Sequence, residues 1–390
     1  MKRSSENRLA LLTAVVFASG CALSQGPPID PAAKQAVAGR LVGPGPVLTG
    51  KFGGPIFGWA IDENGTDGVL TEVTSISDPY TSAIETFDQT KAQVEKIVRK
   101  EKSGPEGDRE LVVDAIQAND VSLIDGEIAR PPKPRKNIFY TMAPVTGNKI
   151  TGKWTPPPGK NFLIWDIADQ QVDPDSVMAV TKIDGTITKP PTFEVVVTDI
   201  ATNKVLRVLH APSTDGVNYP YFVAEDMVTH RAYVPAANYQ SQTVFVDFDI
   251  RSGQVSNNFV APPFSGPVMG MAIDSSTHMM CTTTAQNFSI ELYDLKTEQQ
   301  TFVGQVPNAG GELQAPSSVA ADSVNHLFLV EQPQSLLGGS EIYVYDEKGN
   351  LLESLSGFDF IEGSGIQVVP ASRSGYADGP GANHLQSFTY

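Results

Sequence analysis

Five oxygen-bearing residues, Asp215, Asn218, Glu312, Gln314 and Glu362, are the strongest candidates for chemistry in this 390-residue chain. Carboxylates and carboxamides gathered about one axis would hold a hard divalent cation such as Ca, and a bound cation polarises the oxygen of an ester or phosphoester. Spread over solvated loops, the same groups are ordinary surface acids. They are therefore assigned as ligand-binding candidates, with no catalytic residue named among them and no metal identity fixed. Histidine is scarce, five in all, and His230, His278 and His326 fall on one repeated position. A position just past a strand turn puts each at the rim of its own sheet, so a structural role is expected. The loop Asp62-Glu63-Asn64-Gly65-Thr66-Asp67-Gly68 is rich in oxygens. Asp67 stands where a calcium-binding EF-hand loop needs Gly, and Val73 where it needs Glu, so a turn is expected there. Gly-x-Ser-x-Gly, His-Glu-x-x-His, P-loop and Cys-x-x-Cys motifs are absent, which leaves standard nucleophilic and zinc chemistry without support.

The elements that must position these residues recur. Asp226-Met227-Val228-Thr229-His230, Asp274-Ser275-Ser276-Thr277-His278 and Asp322-Ser323-Val324-Asn325-His326 follow one another at 48 residues. A short apolar run stands on either side of each, so the middle is a turn, and Asp suits it because its carboxylate accepts backbone N–H groups two residues on. The segments Phe193 to Asp199, Val244 to Asp249, Ile290 to Asp294 and Ile342 to Asp346 alternate as strands do, and each ends in Asp before a second polar turn and a fourth strand. Ile84 to Asp88 repeats that signature upstream, with Val121 to Asp125 and Phe162 to Asp166 as weaker copies. Lys100 to Trp154 is less regular, and its basic, proline-rich Arg130 to Lys136 reads as an exposed loop. Four-stranded units of 40 to 50 residues are the signature of propeller blades, because one such sheet leaves both faces exposed until neighbours cover them. The expected fold is all-β: a β-propeller of six or seven four-stranded blades over residues 51–390. Ile366 to Val369 and Leu385 to Tyr390 are expected to close it by completing the first blade.

The stretch Thr198-Asp199-Ile200-Ala201-Thr202-Asn203-Lys204-Val205, together with Arg231-Ala232-Tyr233-Val234, resembles the surface-layer, quinoprotein-like propellers built from YVTN-type repeats, over roughly residues 190–350. That resemblance implies a scaffold and an extracytoplasmic setting, not an activity.

Lys2, Arg3 and Arg8, the apolar run Leu9 to Phe17 and the small residues before Cys21 read as an export signal over residues 1–21. Nine or ten apolar residues rise only about 15 Å as a helix, half the roughly 30 Å hydrocarbon core, so the run is too short to span. Ala18-Ser19-Gly20-Cys21 resembles a lipobox, which implies lipidation of Cys21. Residues 22–50, rich in Pro and Gly, read as a flexible tether. Two cysteines exclude a disulfide framework, and Cys281, in an apolar run, reads as a buried core residue. A net charge of −16 argues against nucleic acid as a partner, since phosphate binding needs clustered cations. The chain is thus expected to be periplasmic or at the cell surface, monomeric, and held to the membrane only by an N-terminal lipid anchor. Its expected role is non-catalytic binding of a protein or small ligand. The alternatives are a metal-dependent lactonase-like or gluconolactonase-like hydrolase using the axial acids, and a structural component of the envelope.

Overall fold

Short runs of β-branched and aromatic residues, each ended by a polar turn, set the strand lengths of this chain. The computed structural model describes the strands between Leu41 and His210 and, beyond them, residues 223–237, 243–255, 259–260, 268–284, 288–307, 315–333, 340–358, 365–378 and 384–390. Two short strands come first, β1 (Leu41–Val42) and β2 (Val47–Leu48), both within the stretch 22–50. A first sheet holds β3 (Ile56–Ile61), β4 (Asp67–Ser75), β5 (Thr81–Asp88) and β6 (Gln93–Lys102). The second holds β7 (Gly107–Asp114), β8 (Val121–Ala129), β9 (Lys136–Met142) and β10 (Ile150–Trp154). The third holds β11 (Ile164–Val172), β12 (Asp175–Thr186), β13 (Lys189–Asp199) and β14 (Lys204–His210). Three sheets carry the 48-residue repeat: β15 (Ala224–Asp226) to β16 (Arg231–Ala237), β17 (Thr243–Asp249) and β18 (Phe259–Val260); β19 (Val268–Asp274) to β20 (Met279–Thr284), β21 (Ser289–Asp294) and β22 (Gln299–Gln305); β23 (Ser318–Asp322) to β24 (Leu327–Gln332), β25 (Ser340–Asp346) and β26 (Leu351–Phe358). The last sheet takes β27 (Gly365–Val369), β28 (Ser374–Asp378) and β29 (Leu385–Thr389).

Within every sheet consecutive strands pair antiparallel, so each is a meander, and the described strands fall into seven such sheets. The exceptions lie at the chain's early strands. β1 adds parallel to the outer edge of β26, and β2 pairs antiparallel with β29 as the fourth strand of the last sheet. The C-terminal strands therefore do not join the sheet of β3–β6 as expected; three of them already make most of a meander, and Val47–Leu48 supplies its missing strand. Three other readings of the sequence are corrected. Val121 to Asp125 lies in a second strand, β8, rather than a third, and Ile164 to Asp166 opens a first strand, β11. The irregular insert, apart from its opening residues Lys100 to Lys102 at the end of β6, is a full sheet, β7–β10. Its alternation was masked by charged and glycine residues in its strands. Ile84 to Asp88 falls in a third strand, β5, as expected, and residues 130–135 lie outside the described residues.

Among the described residues the core is divided among the seams between the fourth, fifth, sixth and seventh sheets. β24 is buried along its whole length, whereas the outermost β22 alternates exposed and half-buried residues. A middle strand thus has two apolar faces to cover, and only a sheet on each side covers both. Tyr233 and Phe245 of the fourth sheet meet Ile273, Met280 and Tyr293 of the fifth, with Phe245 and Tyr293 edge to face at 5.1 Å. Cys281 and Leu292 of the fifth meet Phe328, Val330 and Tyr343 of the sixth. Leu329 and Phe358 of the sixth meet Ile366, Ala377 and Phe388 of the seventh. Cys281 is a free, fully buried thiol whose pKa burial pushes up, in keeping with its assignment to the core.

Backbones approach closely where first strands lie side by side, β15 by β19, β19 by β23 and β23 by β27. A Cβ at Gly270 would stand 2.8 Å from the Ser317 carbonyl oxygen and 2.9 Å from Ser318 Cα, backbone atoms that cannot swing aside. Gly270→Ala should therefore destabilise the protein by about 1–3 kcal/mol, as overpacking does. Phe328→Ala, which empties the seam of the fifth and sixth sheets, should cost about 3–5 kcal/mol. Urea unfolding measures both; a neutral Gly270→Ala would show that the two backbones can part.

Candidate functional site: the turns between first and second strands

Each repeat turn begins with an Asp that is fully buried, and the three carboxylates are used alike. One oxygen holds the residue's own turn. Asp226 Oδ1 accepts Val228 N at 3.0 Å and Thr229 N at 3.3 Å; Asp274 Oδ1 accepts Ser276 N at 2.9 Å and its hydroxyl at 2.6 Å; Asp322 Oδ1 accepts Val324 N at 3.0 Å and Asn325 N at 2.9 Å. The other oxygen faces the next sheet. Asp226 Oδ2 accepts His278 Nδ1 at 2.6 Å, and Asp274 Oδ2 accepts His326 Nδ1 at 2.9 Å. A carboxylate only accepts, so Nδ1 carries the proton in both pairs. Hydrogen bonds to a charged group are the stronger kind, about 1.5–3 kcal/mol each.

The histidines reach across because of their backbone. His230, His278 and His326 have φ of 55°, 66° and 56°, the left-handed region that ends the turn and that His enters more readily than most residues. The expectation that each would serve only the rim of its own sheet is corrected in this respect: the two that meet an acid cross to the preceding sheet. Arg373 takes the left-handed position in the last sheet with φ 49°, and there the bond is made by a different residue. Tyr390 donates its hydroxyl to Asp322 Oδ2 at 2.8 Å, while its backbone N–H bonds Arg373 O and its ring lies 5.5 Å from the Arg373 guanidinium. Burial, with the Asp322 contact, pushes the Tyr390 phenol up, which keeps it a donor.

Turns between third and fourth strands use the same device. Asp249, Asp294 and Asp346 accept Ser252 N at 2.7 Å, Lys296 N at 2.8 Å and Lys348 N at 2.9 Å. Inside the fourth and fifth sheets, Ile250 N and Leu295 N donate to His230 O and His278 O, so both turns sit at one end of the sheet.

No family model matches the chain, and no curated protein matches it. Solved structures do: the structure of the Dos1 propeller, at 8% identity and a TM-score of 0.59, over 89% of this chain and 94% of that one; and the Cps50 (Swd1) beta-propeller domain of Myceliophteria thermophila, at 11% identity and a TM-score of 0.54, over 86% and 96%. This chain has a β-propeller fold. At such identities the likeness is one of fold alone.

In propeller terms the sheets of the 48-residue repeat are blades, and their Asp turns are clasps from one blade to the next. Asp215, Asn218, Glu312, Gln314 and Glu362, and Cys21, lie outside the described residues, as do 62–66. Asp274, His326 and Glu347 bring one donor atom each within 4.8 Å of the others. Asp274 Oδ2 and His326 Nδ1 are bonded to each other and Glu347 accepts the Thr277 hydroxyl, so the three groups are engaged in a hydrogen-bonded clasp.

Among the buried acids that depart from the repeat, Glu225 lies beside a clasp Asp. Glu225 occupies the place held by Ile273 and Ala321 in the next blades, is fully buried, and has no hydrogen-bond partner for either oxygen among the described residues. Burial first, then the adjacent Asp226, raises its pKa to about 8, with Arg251 opposing. The sequence signal was available: an acid where its repeat-mates are apolar. Because its folded pKa is raised, the stability it contributes is fully present below about 4.5 and lost as pH rises through about 8. Glu225→Gln should flatten the decline of thermal midpoint across that window; an unchanged slope would show that Glu225 is solvated. For the clasp, a double-mutant cycle of Asp226→Ala and His278→Ala should give a coupling of about 0.5–3 kcal/mol, where simple additivity would mean the contact stabilises nothing.

Proposed function

We propose that this chain is an exported, lipid-anchored, non-catalytic β-propeller of seven blades that binds a protein or a small ligand at the loops leading into its first strands. The observation that carries the reading is the use of the repeated polar side chains: Asp226, Asp274, Asp322, His278, His326 and Tyr390 hold blade to blade and are engaged in doing so. Such groups build a rigid frame. Function is then left to loops on that frame, as is usual for scaffolds of this kind.

Ring closure is supported by β27 lying beside β3 and by β2 completing the last sheet, so that both early and late strands of the chain share one blade. The clasp turns close one end of each first strand. Residues that lead into Ala224, Ser318 and Gly365 arrive at the other end, and Asp215, Asn218, Glu312, Gln314 and Glu362 precede those starts in sequence. The export reading rests on the charged and apolar N-terminus, and the anchor on Cys21 behind small residues.

Two measurements test the proposal. Elemental analysis of the purified protein should find no stoichiometric divalent cation; one ion per chain that disappears in Glu312→Gln/Glu362→Gln would favour a metal-dependent hydrolase instead. Growth with a labelled fatty acid should label the wild type and not Cys21→Ser, and an unlabelled wild type would rule out the anchor.

A further inference from the structure

The seam between the fifth and sixth blades carries an acid at a turn position where its neighbour carries an apolar residue. The position after the third-strand Asp is buried and apolar in two blades, Ile250 and Leu295, and Leu295 packs into the seam with the preceding blade. In the sixth blade that position is Glu347. Its carboxylate accepts the Thr277 hydroxyl of the fifth blade and stands with Asp274 and His326 inside 4.8 Å. His326 is also more open than its repeat-mate: its side chain is 50% exposed where that of His278 is 11%. The ring is thus within reach of solvent protons, while Asp274 opposite it is fully buried.

We propose that this seam is an acid-tightened clasp: protonation of His326 turns its bond to Asp274 into an ion cluster shared with Glu347 and draws the fifth and sixth blades together, and loss of that proton loosens them. The ionisable groups acting on His326 are Asp274 on the facing turn, Glu347 on the second turn of its own blade and Asp322 on its own turn, all acids. Ser276 Oγ, 3.3 Å from Nδ1, is the neutral neighbour. The hydrogen bond to Asp274 leads in holding the His326 pKa above its ordinary value; slight burial opposes, and the three carboxylates add to the rise. Burial also raises Glu347, against its Thr277 bond. Asp274 moves the other way, because the bonds it accepts outweigh its burial. For a histidine raised in the folded state, the added stability is fully present below its unfolded value near 6.5 and is lost as pH climbs through the folded value. His230 shows the opposite sign: burial and Arg251 lower it, and its Nδ1 has no hydrogen-bond partner among the described residues.

Glu225 titrates over an overlapping range, so the test must read His326 itself. In the full-length protein, an NMR titration of the five histidines should find His326 above the ordinary value in the wild type and returned toward it in Glu347→Leu, the residue its neighbouring blade carries. Hydrogen exchange of the 275–278 turn should be several-fold slower at pH 6 than at pH 8, beyond the intrinsic pH effect. That difference should vanish in His326→Gln, which keeps a donor but no titration. A His326 pKa unmoved by Glu347→Leu, or an equal pH effect in His326→Gln, would overturn the proposal.

Discussion

Everything in this molecule follows from a sheet with two apolar faces. The middle strands of a blade, β20 or β24, present buried residues on both sides, so no blade is stable by itself and each must lie between two others. Apolar contact alone fixes neither spacing nor tilt, because it has no direction. The Asp clasps supply direction. One carboxylate folds its own turn with one oxygen and takes a donor from the next blade with the other, so the conformation of a turn and the placement of its neighbour are set by a single side chain. That coupling explains why Asp stands at the turns that begin at 226, 274 and 322 although a buried charge is expensive unless fully bonded.

The donor on the other side is less constrained than the acceptor. Any residue that reaches Asp322 with an N–H or O–H suffices, and in the last blade Tyr390, from beyond the final strand, does what histidine does elsewhere. Where a repeat-mate departs from type, the seam acquires chemistry: Glu225 places an acid without a hydrogen-bond partner among the described residues where Ile273 and Ala321 stand, and Glu347, which accepts the Thr277 hydroxyl, places another where Ile250 and Leu295 stand. These departures give an otherwise uniform frame its pH-sensitive points.

Much of this was legible in the sequence where the signal is local. The Asp-to-His turns at 226, 274 and 322 and the strands ending at 249, 294 and 346 could be placed because turn chemistry is written in adjacent residues. What depended on distant pairing was not. Val47–Leu48 is too short for any period, and only its pairing with Leu385–Gln386 makes it a strand of the last blade. Blade β7–β10 carries charges in its strands and lacks the Asp-to-His turn, so its alternation did not stand out. The crossing of His278 and His326 depends on a left-handed backbone and a partner 52 residues away, and neither can be read from residue type. The five loop candidates rest on the sequence alone.

The central claim is that blades owe their stability to shared seams. Native-state hydrogen exchange of the whole chain across a denaturant series tests it most directly. If seams hold the fold, amides of β16, β20 and β24 will converge on one opening free energy. Three separate values, each blade opening by itself while its neighbours stay protected, would contradict the account.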